Sequence, residues 1–221
     1  MLLSVCDTDG TSLSMKMNEI LESHSQHFSH LWEGFMGSKQ TPSLSELEQL
    51  LCSCSAFIYL GMEHFMENIP PGKLAALNLS ECRMALLFDR VQNNASILRQ
   101  AKFDMHRRAG QFALKEPLET ALLLSLGGVG CVVLNQWHSS LQQNTHNMAT
   151  VVDNLLRFTH TSGQTIHALR KGDSSEISQN MVAGSYDQVL PTDSKEDNVH
   201  CKMTHSAYNC ILYGLPNLIV S

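Results

Sequence analysis

Three uninterrupted apolar runs constrain this chain most. Ala56-Phe-Ile-Tyr-Leu60, Met84-Ala-Leu-Leu-Phe88 and Cys131-Val-Val-Leu134 contain no charged or amide residue, and each is closed by a glycine or a polar residue. Successive side chains of a strand point to opposite faces, so a strand with one wet face alternates apolar and polar residues. A run without alternation has to be covered on both faces, which is the situation of a strand inside a parallel sheet. Segments with helical spacing lie between the runs. Leu44, Leu47, Leu50 and Leu51 form a stripe behind Ser43, which stands three residues before Glu46 at a capping-box spacing. Pro117 suits the first turn of a helix running to Leu126. Strand–helix alternation of this kind predicts an α/β fold, a mainly parallel sheet with helices on both faces.

The remaining segments fill in that plan. Leu2–Cys6 is read as an opening strand, stopped by Asp7-Thr-Asp-Gly10. Its position at the start of the chain is read as a truncated beginning. Met17, Ile20, Leu21, Phe28 and Leu31 predict a helix over 14–32, ended by Gly34 and Gly37. Pro70-Pro71-Gly72 is read as a turn. Asn93 and Asn94 are placed to cap a helix through Ala109, with Ile97, Leu98, Ala101 and Met105 on one side. Further helices are predicted over 147–158 and 165–171, and a last strand over 208–213. Residues 173–205, rich in Ser, Asp, Glu, Asn and Gln, are read as a mobile insertion before that strand. The predicted organisation is a strand and helix over 1–43, one α/β domain over 44–214, and a tail over 215–221.

Composition removes several function classes. The 221 residues carry 15 Lys and Arg against 21 Asp and Glu, a net charge of −6. General binding to a phosphate backbone wants clustered basic residues, and the one basic cluster, Arg99, Lys102, Arg107 and Arg108, sits on a single predicted helix with Phe103 alone among it. A solvated helix face is the expectation there. No basic segment precedes the apolar start, so a secretory signal is not expected. Ala121 to Trp137 is apolar enough to mimic a membrane span, but Gly127-Gly128 divides it into a helix and a β-branched strand. Seven cysteines without a C-x-x-C pair read as free thiols of a reducing compartment. Neither a cofactor nor a small-molecule substrate is expected.

Four stretches fall in the order of a known family. Leu77-Asn-Leu-Ser-Glu-Cys-Arg-Met-Ala-Leu-Leu87, the run from Leu122 to Trp137 with its closing tryptophan, Thr165-Ile-His-Ala-Leu-Arg170 and Tyr208 to Gly214 resemble successive motifs of CHAT domains, which are caspase-like, separase-related cysteine peptidase domains. The resemblance covers about residues 44–214. It implies a caspase-like topology and a His–Cys dyad at the ends of the first two apolar strands. Three strings, Trp32-Glu-Gly-Phe-Met-Gly37, Ala75-Ala-Leu-Asn-Leu-Ser-Glu-Cys82 and Gly128-Val-Gly-Cys-Val-Val-Leu-Asn-Gln-Trp137, also resemble the C-terminal region of a family of very large, tetratricopeptide-bearing proteins of motile cilia. That second resemblance implies residence in the cytoskeleton of the cilium and partners among the proteins of the axonemal central apparatus.

The implied dyad is replaced at both positions. A caspase-like site needs an imidazole to take a proton and a thiolate to attack. With Gly61 on the first glycine of the family's histidine motif, Met62 falls on the histidine position, and a thioether has no titratable proton. Counting along the second strand puts Arg90 on the cysteine position, and a guanidinium stays protonated. His64 lies two residues past the histidine position. Cys82 lies before its strand, at the wrong end. Arg90 is expected to form a surface salt bridge with Glu63 or Asp89. The expected function is therefore a non-enzymatic interaction domain, a pseudo-peptidase; the alternative is an active cysteine peptidase using His64 and an unaligned cysteine. A third reading, a metal site of His24, His27 and His30, is disfavoured because three residues at successive i, i+3 steps drift around the helix by roughly 60° each time. Gly127-Gly128-Val129-Gly130 precedes a strand, whereas a phosphate loop follows one.

Overall fold

The computed structural model describes residues 2–6, 19, 22, 33–36, 42–61, 64–89, 91, 117–156, 159–170 and 208–219. Six strands form one sheet: β1 (Leu2–Cys6), β2 (Glu33–Met36), β3 (Ala56–Gly61), β4 (Met84–Phe88), β5 (Cys131–Asn135) and β6 (Cys210–Gly214). Their order across the sheet is β2-β1-β3-β4-β5-β6. All neighbours are parallel except β5 and β6. The helices are α1 (Leu44–Ser53), α2 (Pro71–Leu74), α3 (Pro117–Gly127), α4 (Leu141–Leu156) and α5 over 162–170, with a 3₁₀ turn at Phe65–Glu67.

The apolar runs behave as their composition requires. Every residue of β3, β4 and β5 is buried. On one face Ile58, Leu60, Leu86, Phe88 and Val133 pack with Met148, Val151, Val152 and Leu155 of α4 and with Ile166 and Leu169 of α5. On the other, Phe57, Tyr59, Ala85, Leu87, Val132 and Leu134 pack with Leu47 and Leu51 of α1, Leu74 of α2, and Ala121 and Leu124 of α3. Burial of side chains this size is worth about 1.5–3 kcal/mol each. No helix among the described residues is long and apolar enough to cross a membrane.

Local signals set several element ends. The Ser43 side chain accepts the Glu46 N–H at 3.3 Å, and the Ser43 N–H donates to Glu46 Oε2 at 2.7 Å. The capping box is thus complete. The Ser43 hydroxyl, which also donates to Glu46 Oε2 at 2.6 Å, and then the Ser43 N–H hold the exposed Glu46 carboxyl below its ordinary pKa. A carboxylate whose folded pKa is depressed adds stability above its unfolded pKa, and that stability is lost as pH falls through the folded value. Ser43→Ala is therefore expected to lower the urea midpoint at pH 7, with the gap to the parent chain narrowing on acidification; a gap constant with pH would contradict the linkage. Between α3 and β5, Gly128 has φ +117°, and a Cβ there would stand 2.9 Å from the Ser80 backbone nitrogen. Only glycine suits that crossing.

Three expectations about local structure need correction. Glu33–Met36 is not a helix end but a parallel edge strand, with Leu2 opposite Glu33 and Val5 opposite Met36. A four-residue edge strand needs few apolar residues, so the glycines there read as a stop. The sheet therefore runs across residue 43. Pro70-Pro71-Gly72 opens the single turn of α2, with Pro71 at a position where its missing N–H costs nothing. Helix α4 begins at Leu141, six residues before Asn147, because Asn144, Thr145 and Asn147 are buried polar residues inside it. The segment after β6 is bonded to the body: Ser162 and Gly163 of α5 donate their N–H groups to the Leu218 and Pro216 carbonyls at 2.9 and 2.7 Å. The predicted helices over 14–32 and 93–109 and the insertion over 173–205 lie essentially outside the described residues.

Candidate functional site

In a parallel sheet the strand ends that carry function are the carboxyl ends, where the loops leave the strands together. At the carboxyl end of β3 the chain turns through Gly61 to His64. At the carboxyl end of β4 stands Asp89. Met62, Glu63 and Arg90 lie outside the described residues, so the replaced dyad positions and the Arg90 ion pair stand on sequence alone.

His64 is turned inward, with 6% of its surface exposed, and Asp89 with 3%. His64 precedes the 3₁₀ turn and caps it: its Nδ1 accepts the Met66 N–H at 3.0 Å. An imidazole nitrogen that accepts an N–H carries no proton itself. Asp89 Oδ2 accepts the Phe65 N–H at 3.0 Å and lies 3.5 Å from His64 Nδ1. Asp89 thus meets the amide of Phe65 and the ring of His64. The rings of Phe57 and Tyr59 pack on Phe65 at 5.7 and 5.5 Å between centroids, fixing the turn that carries His64.

Beside this pair lies an amide cluster. The Asn144 Nδ2 donates to the Asp89 carbonyl at 2.9 Å, and the Asn135 Nδ2 donates to Asn144 Oδ1 at 2.8 Å and to the same Asp89 carbonyl at 3.3 Å. Ser139 Oγ makes a short hydrogen bond to Asn144 Oδ1. Helix α4 is in this way tied to the ends of both β4 and β5. His64, Leu87, Asp89, Pro117, Thr120, Leu134 and Asn135 line a narrow crevice with no room for a water molecule. Thr120 Oγ1 and Asn135 Oδ1 are buried there with no hydrogen-bond partner among the described residues.

Three of the thiols are placed elsewhere. Cys54 precedes β3, Cys82 precedes β4 and Cys131 opens β5, all at the amino ends of their strands. A strand of five residues rises roughly 16 Å at about 3.3 Å per residue, which separates them from His64. Cys210 lies opposite Asn135, at the carboxyl end of β5. It is fully buried, and burial pushes its thiol up to about 12. Burial likewise raises Cys131 to about 11. Such thiols stay protonated at neutral pH and are poor nucleophiles. In the backbone ladder Cys6 stands opposite Gly61. His24, His27, His30 and the cluster Arg99, Lys102, Arg107 and Arg108 lie outside the described residues. Among the described residues no group of three or more His, Cys, Asp and Glu could hold a metal ion.

Sequence reasoning singled out His64 but missed the role of Asn135, Ser139 and Asn144. The available signal was Asn135 itself, a polar residue closing an apolar run. Asn144 gave none, because a buried amide in a helix looks in sequence like a surface one.

No protein-family model matches the chain. Over 81 residues it is 35% identical to cilia- and flagella-associated protein 46 of Chlamydomonas reinhardtii, a stretch that is 37% of this chain and 3% of the relative. Its fold is similar to that of a chain in the crystal structure of the Saccharomyces cerevisiae separase–securin complex, with a TM-score of 0.57 and 11% identity over 97% of this chain and 12% of that one. The chain thus spans a small fraction of either protein's length. It is a mainly parallel α/β domain similar in fold to the matched chain of the separase–securin complex and, over 81 residues, similar in sequence to a cilia- and flagella-associated protein.

Proposed function

We propose that this chain is a non-enzymatic interaction domain of the ciliary axoneme, a degenerate CHAT-like pseudo-peptidase that binds proteins of the central apparatus and so supports axoneme assembly and ciliary movement. The observation that carries the non-enzymatic part is the state of the strand ends. His64 uses Nδ1 to cap a turn, Asp89 holds that turn's first amide, and Cys54, Cys82 and Cys131 begin their strands rather than following them. A fold retained while the chemical groups are used for packing fits a scaffold, since function resides in the site and not in the fold. The ciliary part is supported by the likeness to the algal protein. The axoneme is the expected location, with protein partners rather than nucleic acid, membrane or a small substrate.

One observation favours a second reading. His64 and Asp89 stand 3.5 Å apart at the carboxyl ends of adjacent strands, so a ring rotation that freed Nδ1 from the Met66 N–H would let the carboxylate orient the imidazole as a base. An active peptidase would then recruit a cysteine that sequence alignment does not supply. Two measurements separate the readings. With the chain as bait on solubilised axonemes, central-apparatus proteins are expected to be enriched, and recovery of none overturns the scaffold reading. With a thiol-directed peptidase probe and a peptide library, neither stoichiometric labelling nor cleavage is expected. Cleavage abolished by His64→Ala would establish the peptidase instead.

A further inference from the structure

The most closely matched reactive groups outside the strand-end site are two cysteines. Cys54 and Cys82 precede the adjacent strands β3 and β4, and their sulfurs lie 3.7 Å apart. They hold equivalent places in the parallel ladder: Ala56 pairs with Met84, two residues on from each. The ladder reaches them, because the Arg83 N–H donates to the Ser55 carbonyl at 2.8 Å. Neighbouring strands run about 4.8 Å apart. That spacing falls within the Cα separation of about 4.4–6.8 Å that a disulfide spans. Both side chains are buried in the same apolar cluster, on the same face of the sheet, and their sulfurs meet there. Closing the remaining gap to a bond of about 2.05 Å needs side-chain rotation and not a shift of the strands.

We propose that Cys54 and Cys82 are a modification site, a dithiol that a hydroperoxide converts reversibly to a disulfide stapling the amino ends of β3 and β4. In the first step Cys54 sulfur attacks one oxygen of hydrogen peroxide; the O–O bond breaks, a sulfenic acid forms and one water leaves. In the second, Cys82 sulfur attacks that sulfenic sulfur, the S–S bond forms and the hydroxyl leaves as a second water. The two thiols lose two electrons, which the peroxide takes up. The order of attack follows from the environment. Cys54 ends α1 between the exposed Ser53 and Ser55, whereas Cys82 has no exposed surface, so Cys54 is the sulfur that peroxide meets first.

Access is short. Ser53 and Ser55 flank Cys54 and are exposed, as are Glu81 and Arg83 around Cys82. Cys54 is also the C-cap of α1, where helices fray. Cys52 is nearby and more exposed, but burial raises its thiol above the ordinary value, which makes it the poorer nucleophile.

The test uses the full chain. After one molar equivalent of hydrogen peroxide, the protein is denatured, alkylated and mapped by mass spectrometry. A Cys54–Cys82 linked peptide is expected, with free thiols falling by two from the seven of the chain and dithiothreitol restoring them. The surface variant Cys52→Ala is expected to form the same link in the same yield. The proposal is overturned if Cys82 remains fully alkylated, if Cys54 is found linked to Cys52, or if Cys52→Ala abolishes the link.

Discussion

Leu86→Ala is expected to lower the unfolding free energy by about 2–5 kcal/mol, the range for truncating a fully buried leucine. The upper half of the range is expected here. Leu86 is the middle residue of β4, with Ile58 and Val133 opposite it on the two neighbouring strands. It has no exposed surface. It packs in one cluster with Met148, Val151 and Val152 of α4, and a strand held by hydrogen bonds on both sides cannot sag to fill the space. Small domains are stable by only about 5–15 kcal/mol, so this single change removes a large fraction. Equilibrium unfolding in urea measures it. A loss below about 1 kcal/mol would mean that α4 closes over the cavity and that this face is loosely packed.

Asn144→Ala is expected to cost about 2–4 kcal/mol although it removes only one side-chain amide. The change takes the shorter of two acceptors from the Asn135 amide, the acceptor from the Ser139 hydroxyl and one of two donors from the Asp89 carbonyl. Buried polar groups left unpaired cost about 1–3 kcal/mol each. Asn144→Asp separates this account from simple loss of volume. Aspartate keeps the acceptor for Asn135 and Ser139 but sets a carboxylate oxygen against the Asp89 carbonyl. It is expected to be at least as damaging as alanine at pH 7 and to recover as the pH is lowered. A tolerated Asn144→Asp at neutral pH would show that the cluster does not hold α4 to the sheet.

The central sheet was legible because burial on both faces writes itself into sequence as an unbroken apolar run. Ala56–Leu60, Met84–Phe88 and Cys131–Leu134 emerged as β3, β4 and β5 within a residue or two. Capping chemistry was equally legible: Ser43 and Glu46 formed the box that their spacing implied. The edges were harder. β2 carries one charged residue, one glycine and two apolar ones, and its membership depends on β1 being beside it. No local pattern reports a neighbour. The same holds for the direction of β6, which is decided by where the chain returns to β5. At the candidate site, residue type pointed to His64, but its use as a cap depends on Met66 and Asp89 meeting it in space. The buried amides were hidden for a related reason: an asparagine is satisfied by partners that a sequence does not show to be near.

The antiparallel closing strand has a consequence for synthesis. β5 is made long before β6, and until Cys210–Gly214 emerges from the ribosome one of its hydrogen-bonding edges has no partner. At elongation rates of about 5–20 residues per second, the delay between Asn135 and Cys210 is roughly 4–15 s. Helix α5 waits longer, because its first amides bond to the carbonyls of Pro216 and Leu218. The nascent chain therefore presents an unbroken apolar strand with an open edge, the template on which chains associate with one another. That edge stays open for the seconds that synthesis of the intervening residues takes.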